Sequence, residues 1–425
     1  MKRLFVVAML FIALTLAGCT QGDNGNGNKE TGGNDKIELH SIDLVEKGIL
    51  LTGYNNDLKL SPDGKTVAFS GHYYDYDKHV VDEKLVVADL VTGDTNIFEG
   101  INGVMGWHKD GTKILYLGDS EIGLMDIKTG EKKVIEEVWT YATLSPDGGK
   151  VAYTVRGQIY PWDQNARPES EAGLWIYDLA TGNKKQLTNN SDESYPVWYP
   201  DSKKIFYFCD LGVELGEGAG HMQGMAAISV DGGEQEVFPQ KEGKFRRAEW
   251  IVPGKSMFVL GGWDDGTTYN ILDLENESFV NIGDDSSIVS QDFVTVDKKS
   301  GLVLKSGFGV VEFYDTLGNK VIEFNVNGED AQNFKYTVSP VDNLLAFVYG
   351  DYERGNVDDS RGNEVRLVTM DGENTRHLSG ETGDDGVIYN ESILWDAQGK
   401  NIIALQAEVF DGIDRITTIR VLPVK

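Results

Sequence analysis

The sequence predicts an all-β protein, a β-propeller of four-stranded antiparallel blades, and three observations support this. One hairpin recurs eight times along the 425 residues: an apolar strand, a tight turn rich in Asp, Gly and Pro, and a second apolar strand. A second hairpin follows nearly every one of these, so each unit has four strands. No stretch has a helical period of apolar residues. Because units this small cannot each bury a core alone, we expect blades stacked around an axis.

The repeated hairpin is clearest in the first third of the chain. Residues 58–69 read Leu-Lys-Leu-Ser-Pro-Asp-Gly-Lys-Thr-Val-Ala-Phe, and residues 104–116 and 141–153 match them almost position for position. Val, Ile, Tyr and Phe fill the strands, and Gly, Asp and Asn fill the turns, as β-hairpins require. A fourth copy follows at 196–208. Four weaker copies keep the apolar pattern and lose turn residues: 248–260, 292–304, 336–347 and 392–405.

The two ends of the chain are expected to meet in one blade. The last unit ends near Val421 after three strands, while residues 37–52 are strand-like. The N-terminal segment therefore completes the final blade, either with one strand at 48–52 or with a second at 39–44 as well, because 416–421 competes for one position. The number of hairpins predicts eight blades, and seven blades are the alternative.

The turn chemistry carries a family resemblance. The Ser-Pro-Asp-Gly-Lys turn followed by Val-Ala-Phe or Val-Ala-Tyr resembles the WD40-like repeat of TolB-type propellers, and it is similar to the propeller domain of dipeptidyl peptidase IV relatives. The resemblance covers most of the chain from Leu58 onward. It implies a propeller, and propellers of this kind serve many functions. TolB-type propellers usually have six blades, whereas the hairpins here number eight.

The N-terminus resembles a bacterial lipoprotein signal. Two basic residues precede an apolar run at 4–16 that is too short to span a bilayer, and a Leu-Ala-Gly-Cys box ends at Cys19. The resemblance implies cleavage before Cys19, diacylglycerol on its sulfur and an acyl chain such as palmitate on its nitrogen, which together anchor a protein stably to a membrane. An ordinary secretory signal with a chance cysteine is the alternative.

The predicted organisation has three parts. Residues 1–18 are the signal peptide, residues 19–36 are the lipidated cysteine with a flexible Gly/Asn-rich tether, and residues 37–425 are the propeller. We therefore expect an extracytoplasmic protein that is anchored to the cell membrane as a lipoprotein.

The chain is strongly acidic, with a formal net charge of −29. A body of this charge repels nucleic acid, so no nucleic-acid partner is expected. Solubility explains the charge, and attraction of a basic peptide, a polyamine or Ca²⁺ is the alternative. Residues 75–77 and 264–266 have fragments of calcium-loop spacing without the twelve-residue loop. We expect no cofactor, with Ca²⁺ as the alternative, and we expect a monomer.

The connections between strands differ on the two sides of the predicted disc. In a four-stranded meander, the first-to-second and third-to-fourth turns emerge on one side, here named the turn face, and these are short. The second-to-third connections emerge on the other side, here named the long-loop face. Long connections on one side are where a propeller would bind a ligand. The longest are 71–84, 156–173, 210–224 and 350–363, with a further one at 407–415.

The predicted ligand-binding residues are aromatic, acidic and histidine side chains of these long connections. Aromatic faces beside carboxylates suit sugars, cationic groups or peptide side chains. The alternative is that each aromatic ring packs within its own loop. The candidates are Tyr73, Tyr74, Asp75, Tyr76 and Asp77 in the first blade, Tyr160, Trp162 and Asp163 in the third, His221 in the fourth and Tyr352 in the seventh.

Two recurring residue types are predicted to be structural. Tryptophans near the end of four first strands occupy places where other repeats have leucine, so they are assigned to the blade core: Trp107, Trp198, Trp250 and Trp395. Aspartates that precede the third-to-fourth turns are assigned to turn capping: Asp89, Asp126, Asp178 and Asp273. Cys209 ends a buried strand and is predicted to be a small core residue rather than a reactive thiol.

No catalytic motif is recognisable. Gly-x-Ser-x-Gly is absent, which argues against a serine peptidase. On the long-loop face, His72 and His79 fall in the first blade and His221 in the fourth, far apart around the ring, so no metal site is expected from them. The sequence favours a binding or scaffold module for a peptide, protein or glycan ligand. The alternative is a surface enzyme, a metal-dependent lyase or hydrolase acting on glycans or peptides.

Overall fold

The computed structural model describes most of the chain that follows the predicted tether: residues 41–54, 58–75, 80–138, 140–157, 167–214, 221–263, 266–285, 294–307, 310–326, 332–350, 364–379, 388–410 and 413–424. These residues form 33 strands and one short 3-10 helix, Glu169–Glu171. None of the helical structure in the described residues is long and apolar enough to cross a membrane. The predicted all-β fold is confirmed.

The strands form eight antiparallel sheets, which are the blades of a β-propeller. Blades 1 and 2 contain β2 (Gly53–Tyr54), β3 (Lys59–Leu60), β4 (Thr66–Asp75), β5 (Val80–Asp89) and β6 (Thr95–Glu99), then β7 (Gly103–Trp107), β8 (Lys113–Leu117), β9 (Ile122–Asp126) and β10 (Lys132–Glu136). Blades 3 and 4 contain β11 (Ala142–Leu144), β12 (Lys150–Val155), β13 (Gly173–Asp178) and β14 (Lys184–Gln186), then β15 (Ser194–Trp198), β16 (Lys204–Glu214), β17 (His221–Ser229) and β18 (Glu236–Gly243).

The second half of the chain repeats this arrangement. Blades 5 and 6 contain β19 (Phe245–Val252), β20 (Ser256–Trp263), β21 (Gly266–Asp273) and β22 (Ser278–Asp285), then β23 (Val294–Asp297), β24 (Leu302–Gly307), β25 (Val310–Tyr314) and β26 (Lys320–Asn325). Blades 7 and 8 contain β27 (Gln332–Val338), β28 (Leu344–Gly350), β29 (Glu364–Thr369) and β30 (Thr375–Ser379), then β31 (Ile388–Trp395), β32 (Asn401–Phe410), β33 (Ile413–Pro423) and β1 (Ser41–Asp43). Eight blades are confirmed, and the seven-blade alternative is wrong.

Blade 8 is closed by the N-terminal strand β1, which pairs antiparallel with β33 through Ser41↔Arg420, Ile42↔Ile419 and Asp43↔Thr418. Residues 41–43, within the predicted segment 39–44, therefore supply the closing strand. The predicted strand at 48–52 is wrong, because the chain turns back at Gly48, whose φ of +76° is a left-handed conformation that interrupts an extended strand. Leu51 keeps only an isolated bridge to Ile416.

The core consists of eight separate hydrophobic clusters, one between each pair of adjacent blades. Successive side chains of a strand point to opposite faces of its sheet. Ala68 of β4 accordingly packs in the cluster between blades 1 and 2, while its neighbours Val67 and Phe69 pack in the cluster between blades 1 and 8. Both faces of each blade are therefore buried, and this explains why the repeat strands are almost continuously apolar.

The first strands of successive blades lie side by side around the axis, as the contacts of β7 with β3 and β11 illustrate. Four indole N–H groups link these inner strands to the preceding blade. Each donates a hydrogen bond to a backbone carbonyl oxygen: Trp107 to Lys59 at 3.2 Å, Trp198 to Thr143 at 3.0 Å, Trp250 to Trp198 at 2.8 Å and Trp395 to Thr337 at 2.9 Å. The structural assignment of the tryptophans is confirmed, since Trp198 and Trp395 are buried and the other two are half-buried.

Replacing Trp395 with Phe should destabilise the propeller. The phenyl ring retains apolar volume but leaves the carbonyl of half-buried Thr337 without its donor, and the loss of such a hydrogen bond costs about 0.5–1.5 kcal/mol. Urea unfolding measures this change. Trp175→Phe is the matched control, because Trp175 donates at 2.9 Å to the Glu171 carbonyl in an exposed site of its own blade. Equal destabilisation by the two substitutions would contradict a special role for the inter-blade bond.

Candidate functional site

Polar groups on the turn face are used to close the turns. In blade 1, the Ser61 hydroxyl donates to Asp63 at 2.6 Å and accepts from the Thr66 amide at 3.0 Å. In blade 3, Ser145 and Asp147 make the same bond at 2.6 Å. The glycine that follows each aspartate has a positive φ, in the left-handed region, and this backbone conformation favours glycine.

The recurring aspartates have the predicted capping role. Each accepts hydrogen bonds at one side-chain oxygen from backbone amides two or three residues further on, which fixes the third-to-fourth turn. The bonds are 2.8 and 2.9 Å for Asp89, 2.9 and 3.0 Å for Asp126, 2.8 Å for Asp178, and 2.9 and 3.0 Å for Asp273. These carboxylates are structural.

The long connections of blades 1, 4 and 8 are extended hairpins rather than loops. Strands β4 and β5 pair as far as Asp75↔Val80, and β16 and β17 pair as far as Glu214↔His221. In blade 8, β32 and β33 pair as far as Phe410↔Ile413. In the described parts of 71–84, 210–224 and 407–415 the predicted loops are wrong, because antiparallel strand pairing continues beyond the blade core, with an irregularity between Asp210 and Glu214 in blade 4.

The predicted binding residues are only partly described. Tyr73 and Tyr74 lie on β4 opposite Asp82 and Val81, where the Tyr74 amide donates to the Thr52 hydroxyl at 2.9 Å. Asp75 ends the same strand, and His221 begins β17 in blade 4, so the structure places them in separate blades. The others lie outside the described residues: Cys19, Tyr76, Asp77, Tyr160, Trp162, Asp163 and Tyr352.

His221 belongs to a network of charged groups, here named the rim network, formed with Asp192, Asp210 and Lys244. His221 Nδ1 lies 2.8 Å from Asp210 Oδ2, and the His221 amide donates to Asp192 Oδ2 at 3.0 Å. Lys244 Nζ donates to the same Asp192 oxygen at 2.6 Å. The Asp210 side chain is 5% exposed and that of His221 is 18% exposed. The network therefore ties the extended hairpin of blade 4 to the entry of blade 5.

Gln223 extends this connection to the backbone. Its side-chain nitrogen donates to the Asp192 carbonyl at 3.1 Å and to the Ser194 hydroxyl at 3.0 Å, and its oxygen accepts from the Phe245 amide at 3.1 Å. Ser194 and Phe245 begin the inner strands of blades 4 and 5. The rim network therefore lies at the inner rim of the long-loop face, where these strands enter.

Glu193 is a buried acid directly beside the rim network. Its side-chain oxygens accept hydrogen bonds from the Thr188 hydroxyl and, at 2.9 Å, from Asn190 Nδ2. Burial raises the pKa of Glu193 to about 7, and these hydrogen bonds only partly offset the desolvation. Glu193 can therefore change its protonation state near neutral pH.

Cys209 is buried in the core between blades 3 and 4. Burial raises the pKa of its thiol to about 11, so the nucleophilic thiolate is scarce at neutral pH. The prediction of an inert core cysteine is confirmed.

A second group of residues lies on the same inner rim, across blades 3 to 5, and is here named the tyrosine–arginine cluster: Tyr141, Tyr195, Arg246 and Arg247. The rings of Tyr141 and Tyr195 have their centroids 4.1 Å apart with an angle of 31° between their planes. Tyr141 directly precedes β11, while Tyr195, Arg246 and Arg247 lie in the first residues of β15 and β19. Tyr141 is 49% exposed.

Tyr195 has an unusual backbone conformation, with a φ of +52°. The pairing of β15 with β16 shifts register between Ser194 and Val197, so Tyr195 lies in a bulge. A non-glycine residue in this region is strained by about 1 kcal/mol or more and persists only where its surroundings hold it. Bulges of this kind reorient a side chain and recur beside functional sites.

The two arginines give this part of the rim a positive charge. Arg247 forms an ion pair with Glu249 at 2.7 Å, and Lys298 contacts the other oxygen of Glu249 at 3.2 Å. Although burial raises the pKa of Glu249, Arg247 and Lys298 hold it below its usual value, so the carboxylate stays ionised. Glu249 is thus shared by two cations, Arg247 and Lys298.

Sequence reasoning found His221 and missed the other seven members of these two groups. Asp192, Asp210 and Lys244 come together only through the register of the blade 4 hairpin and the turn into blade 5. The consecutive arginines 246 and 247 in a first strand of a very acidic chain were the one available signal. Within the described ranges, no group of three or more His, Cys, Asp or Glu residues is placed to hold a metal ion.

Comparison with known proteins supports the fold. No protein-family model and no curated protein matches the chain. Among solved structures, dipeptidyl peptidase 4 of Porphyromonas gingivalis is similar with a TM-score of 0.52 and 12% identity over 86% of this chain. This chain spans 59% of that protein. At such low identity the likeness shows the propeller fold alone.

Two further solved structures are similar at lower TM-scores. Oligogalacturonate lyase of Vibrio parahaemolyticus has a TM-score of 0.48 and 13% identity, covering 88% of this chain and 91% of that one. A protein assigned as a TolB from Agrobacterium tumefaciens has a TM-score of 0.38 and 16% identity, covering 54% and 80%. The predicted likeness to TolB-type and dipeptidyl peptidase IV propellers is therefore found among solved structures, as a likeness of fold.

Replacing Glu193 with Gln should change how stability depends on pH. The pKa of Glu193 is higher in the folded than in the unfolded chain, so the wild type loses stability as pH rises from about 4.5 to about 7. The loss is up to about 3 kcal/mol, and the Gln variant lacks it. Urea unfolding at about pH 5 and about pH 8 measures the difference. The exposed control Glu131→Gln should leave the pH dependence of stability unchanged. If the free energy of unfolding changes equally with pH in the wild type and in E193Q, Glu193 does not titrate with a raised pKa.

Proposed function

We propose that the protein is a lipid-anchored extracytoplasmic propeller that binds a peptide, protein or glycan ligand on its long-loop face. The convergence of the rim network and the tyrosine–arginine cluster on the inner rim of blades 3 to 5 carries this proposal. Charged, aromatic and strained residues from three blades meet there. Such a set of convergent polar and aromatic groups is typical of a ligand site.

The contrast between the two faces supports the assignment. Turn-face hydroxyls and carboxylates, such as Ser61 with Asp63 and Ser145 with Asp147, are engaged in their own turns. Blade surfaces are buried against their neighbours. The long-loop face instead carries the extended hairpins of blades 1, 4 and 8, together with half-exposed Tyr141. A ligand on the long-loop face therefore meets extended hairpins and an exposed aromatic ring, whereas on the other face it meets closed turns.

Catalysis is the second candidate, favoured by one observation. Asp210 orients the His221 ring at 2.8 Å, and Glu193 in the adjoining sequence has a pKa raised to about 7. Asp192, which accepts a hydrogen bond from the His221 amide, directly precedes Glu193 in the chain. An oriented histidine and an acid that titrates near neutrality in one network suit proton transfer on a bound glycan or peptide. Loss of turnover with retained binding in a His221→Ala variant would favour this candidate.

Rim substitutions should weaken ligand capture. The compact unit that the contacts define begins at Ile37, so a soluble form starting at Asp35 retains it. This form is immobilised and exposed to cell-envelope fractions of the producing bacterium. Tyr141→Ala and Lys244→Ala should each reduce capture by about tenfold, because losing a central aromatic or charged contact costs about 1–2 kcal/mol.

Asp94→Ala is the matched control, since Asp94 is an exposed residue of a turn-face turn. It should capture the same components as the wild type. The face assignment fails if D94A loses capture or if both rim variants keep it, provided that circular dichroism shows each variant folded.

The anchor rests on the Leu-Ala-Gly-Cys box and is tested separately. Cys19→Ala removes the sulfur that would carry diacylglycerol, so we expect the full-length protein to move from the membrane pellet to the soluble or secreted fraction. Ultracentrifugation and immunoblotting measure the distribution. Thr20→Ala is the control and should remain in the pellet. A membrane-bound C19A protein would contradict lipid anchoring.

A further inference from the structure

We propose that the rim network binds a neutral glycan through two neighbouring hydroxyl groups of one sugar ring, next to a stacking surface formed by Tyr141. The inference rests on the proposed function and names the class of ligand for the same rim. Three observations carry it: side-chain atoms of Asp192 and Lys244 that the described residues leave unused, charges that are compensated within the network, and an exposed aromatic ring close by.

Asp192 and Lys244 keep part of their hydrogen-bonding capacity for a ligand. Asp192 Oδ2 accepts from the His221 amide at 3.0 Å and from Lys244 Nζ at 2.6 Å, whereas Oδ1 accepts no hydrogen bond from any described residue. Among the same residues, Lys244 uses only one of its three N–H groups. The Asp192 side chain is 14% exposed and that of Lys244 is 22% exposed, so a ligand can reach both.

A pair of neighbouring sugar hydroxyls matches these atoms. Each hydroxyl can both donate and accept a hydrogen bond. One hydroxyl donates to Asp192 Oδ1 while its neighbour accepts from Lys244, and the two contacts lie side by side because Lys244 is bound to the other oxygen of the same carboxylate. Hydrogen bonds to charged groups are stronger than those between neutral groups, so a neutral ligand gains affinity from them.

Charges within the rim network are compensated in pairs, so the network does not select an ion. Asp192 lies 2.6 Å from the Lys244 ammonium group, and Asp210 lies 2.8 Å from the His221 ring. An anionic ligand would meet the two carboxylates, and a cationic ligand would meet Lys244. Either would compete with a partly buried ion pair, and separating such a pair is costly. A neutral polyol leaves both pairs intact.

The acceptor is held in place before a ligand arrives. The Asp192 amide donates to Asp210 Oδ2 at 3.1 Å, and the Asp192 carbonyl accepts from the Gln223 side chain at 3.1 Å. The contacts with His221 and Lys244 fix the carboxylate itself. Asp192 therefore loses little conformational freedom on binding, which lowers the entropic cost of association.

Tyr141 supplies the second contact for the glycan. Its ring stacks on that of Tyr195 with the centroids 4.1 Å apart, and Tyr141 remains 49% exposed. Tyr195 follows Asp192 by three residues, a length of chain that spans at most about 11 Å. The apolar C–H face of a pyranose ring packs on a flat ring of this kind. Few peptide segments combine an apolar flat face with adjacent hydroxyls, so the two contacts together favour a glycan.

Calorimetric titration of the full chain in detergent tests the inference. The neutral probes are linear hexasaccharides of glucose, mannose and galactose. The comparison probes are a hexasaccharide of glucuronic acid, a hexapeptide of lysine, and a neutral hexapeptide of alternating serine and glycine. We expect at least one neutral hexasaccharide to bind, with affinity at least about tenfold higher than that of every comparison probe. Added salt should leave its affinity unchanged, because the ligand carries no charge.

Substitutions then locate the binding. Asp192→Asn, Lys244→Met and Tyr141→Ala should each weaken the neutral hexasaccharide by about tenfold, and Tyr141→Phe should retain its affinity because the ring remains. Lys204→Met is the matched control, since Lys204 also contacts a carboxylate, that of Glu236 at 3.1 Å, in an exposed part of blade 4. Thermal melting identifies any variant that fails to fold, in which case the comparison of the probes on the wild type decides.

Several outcomes would overturn the inference: no binding of any neutral hexasaccharide, equal binding of a comparison probe, or D192N and K244M variants that bind like K204M. If the rim substitutions still reduce capture of envelope components alongside any of these, only the ligand class is wrong. If both rim variants in the capture experiment keep wild-type capture, the proposed function is wrong.

Discussion

Burial of both faces of every blade is the constraint on which the rest of this structure depends. Eight hydrophobic clusters lie between blades and each draws on two neighbours, so one blade alone would expose two apolar faces. The repeat strands must then be apolar at nearly every position, as the run Ile205 to Cys209 illustrates. Strand ends, turns, hairpin tips and the exposed outer strands, such as β26, remain for recognition. Of the two rims, the one on the turn face is used for turn capping.

Near the axis, the indole hydrogen bonds fix how adjacent blades pack against each other. Each bond fixes the distance between the inner strands of two adjacent blades. Trp107 on blade 2 makes the first of these bonds along the chain, and Trp395 on blade 8 makes the last. In the middle of this series, Trp198 and Trp250 tie blades 3, 4 and 5 together. These are the same three blades that carry the tyrosine–arginine cluster. The candidate site thus stands on the part of the ring where consecutive blades are linked most directly, which suits a site assembled from separate strands.

The fold could be predicted from the sequence because the same strand and turn pattern occurs eight times along the chain. Comparison of its copies separated Trp198 and Asp178, which recur, from residues that do not. The site was far less accessible. His221 was found from its position in a long connection, but its partner Asp192 lies before an inner strand, and Lys244 lies after an outer one. Tyr195 gives no sign in the sequence of its left-handed backbone. Such contacts depend on the register of each hairpin and on the rotation between blades, which composition does not encode.

The closing strand β1 has a mechanical consequence. The chain enters the propeller at Ser41, and three residue pairs join this strand to β33. Tension applied through the residues before Ser41 would load the outermost ladder of blade 8 first. The pairs would then open one after another rather than share the force. Ile42, which is buried, would be the main resistance to this peeling. A membrane tether would thus load the ring at its closing strand.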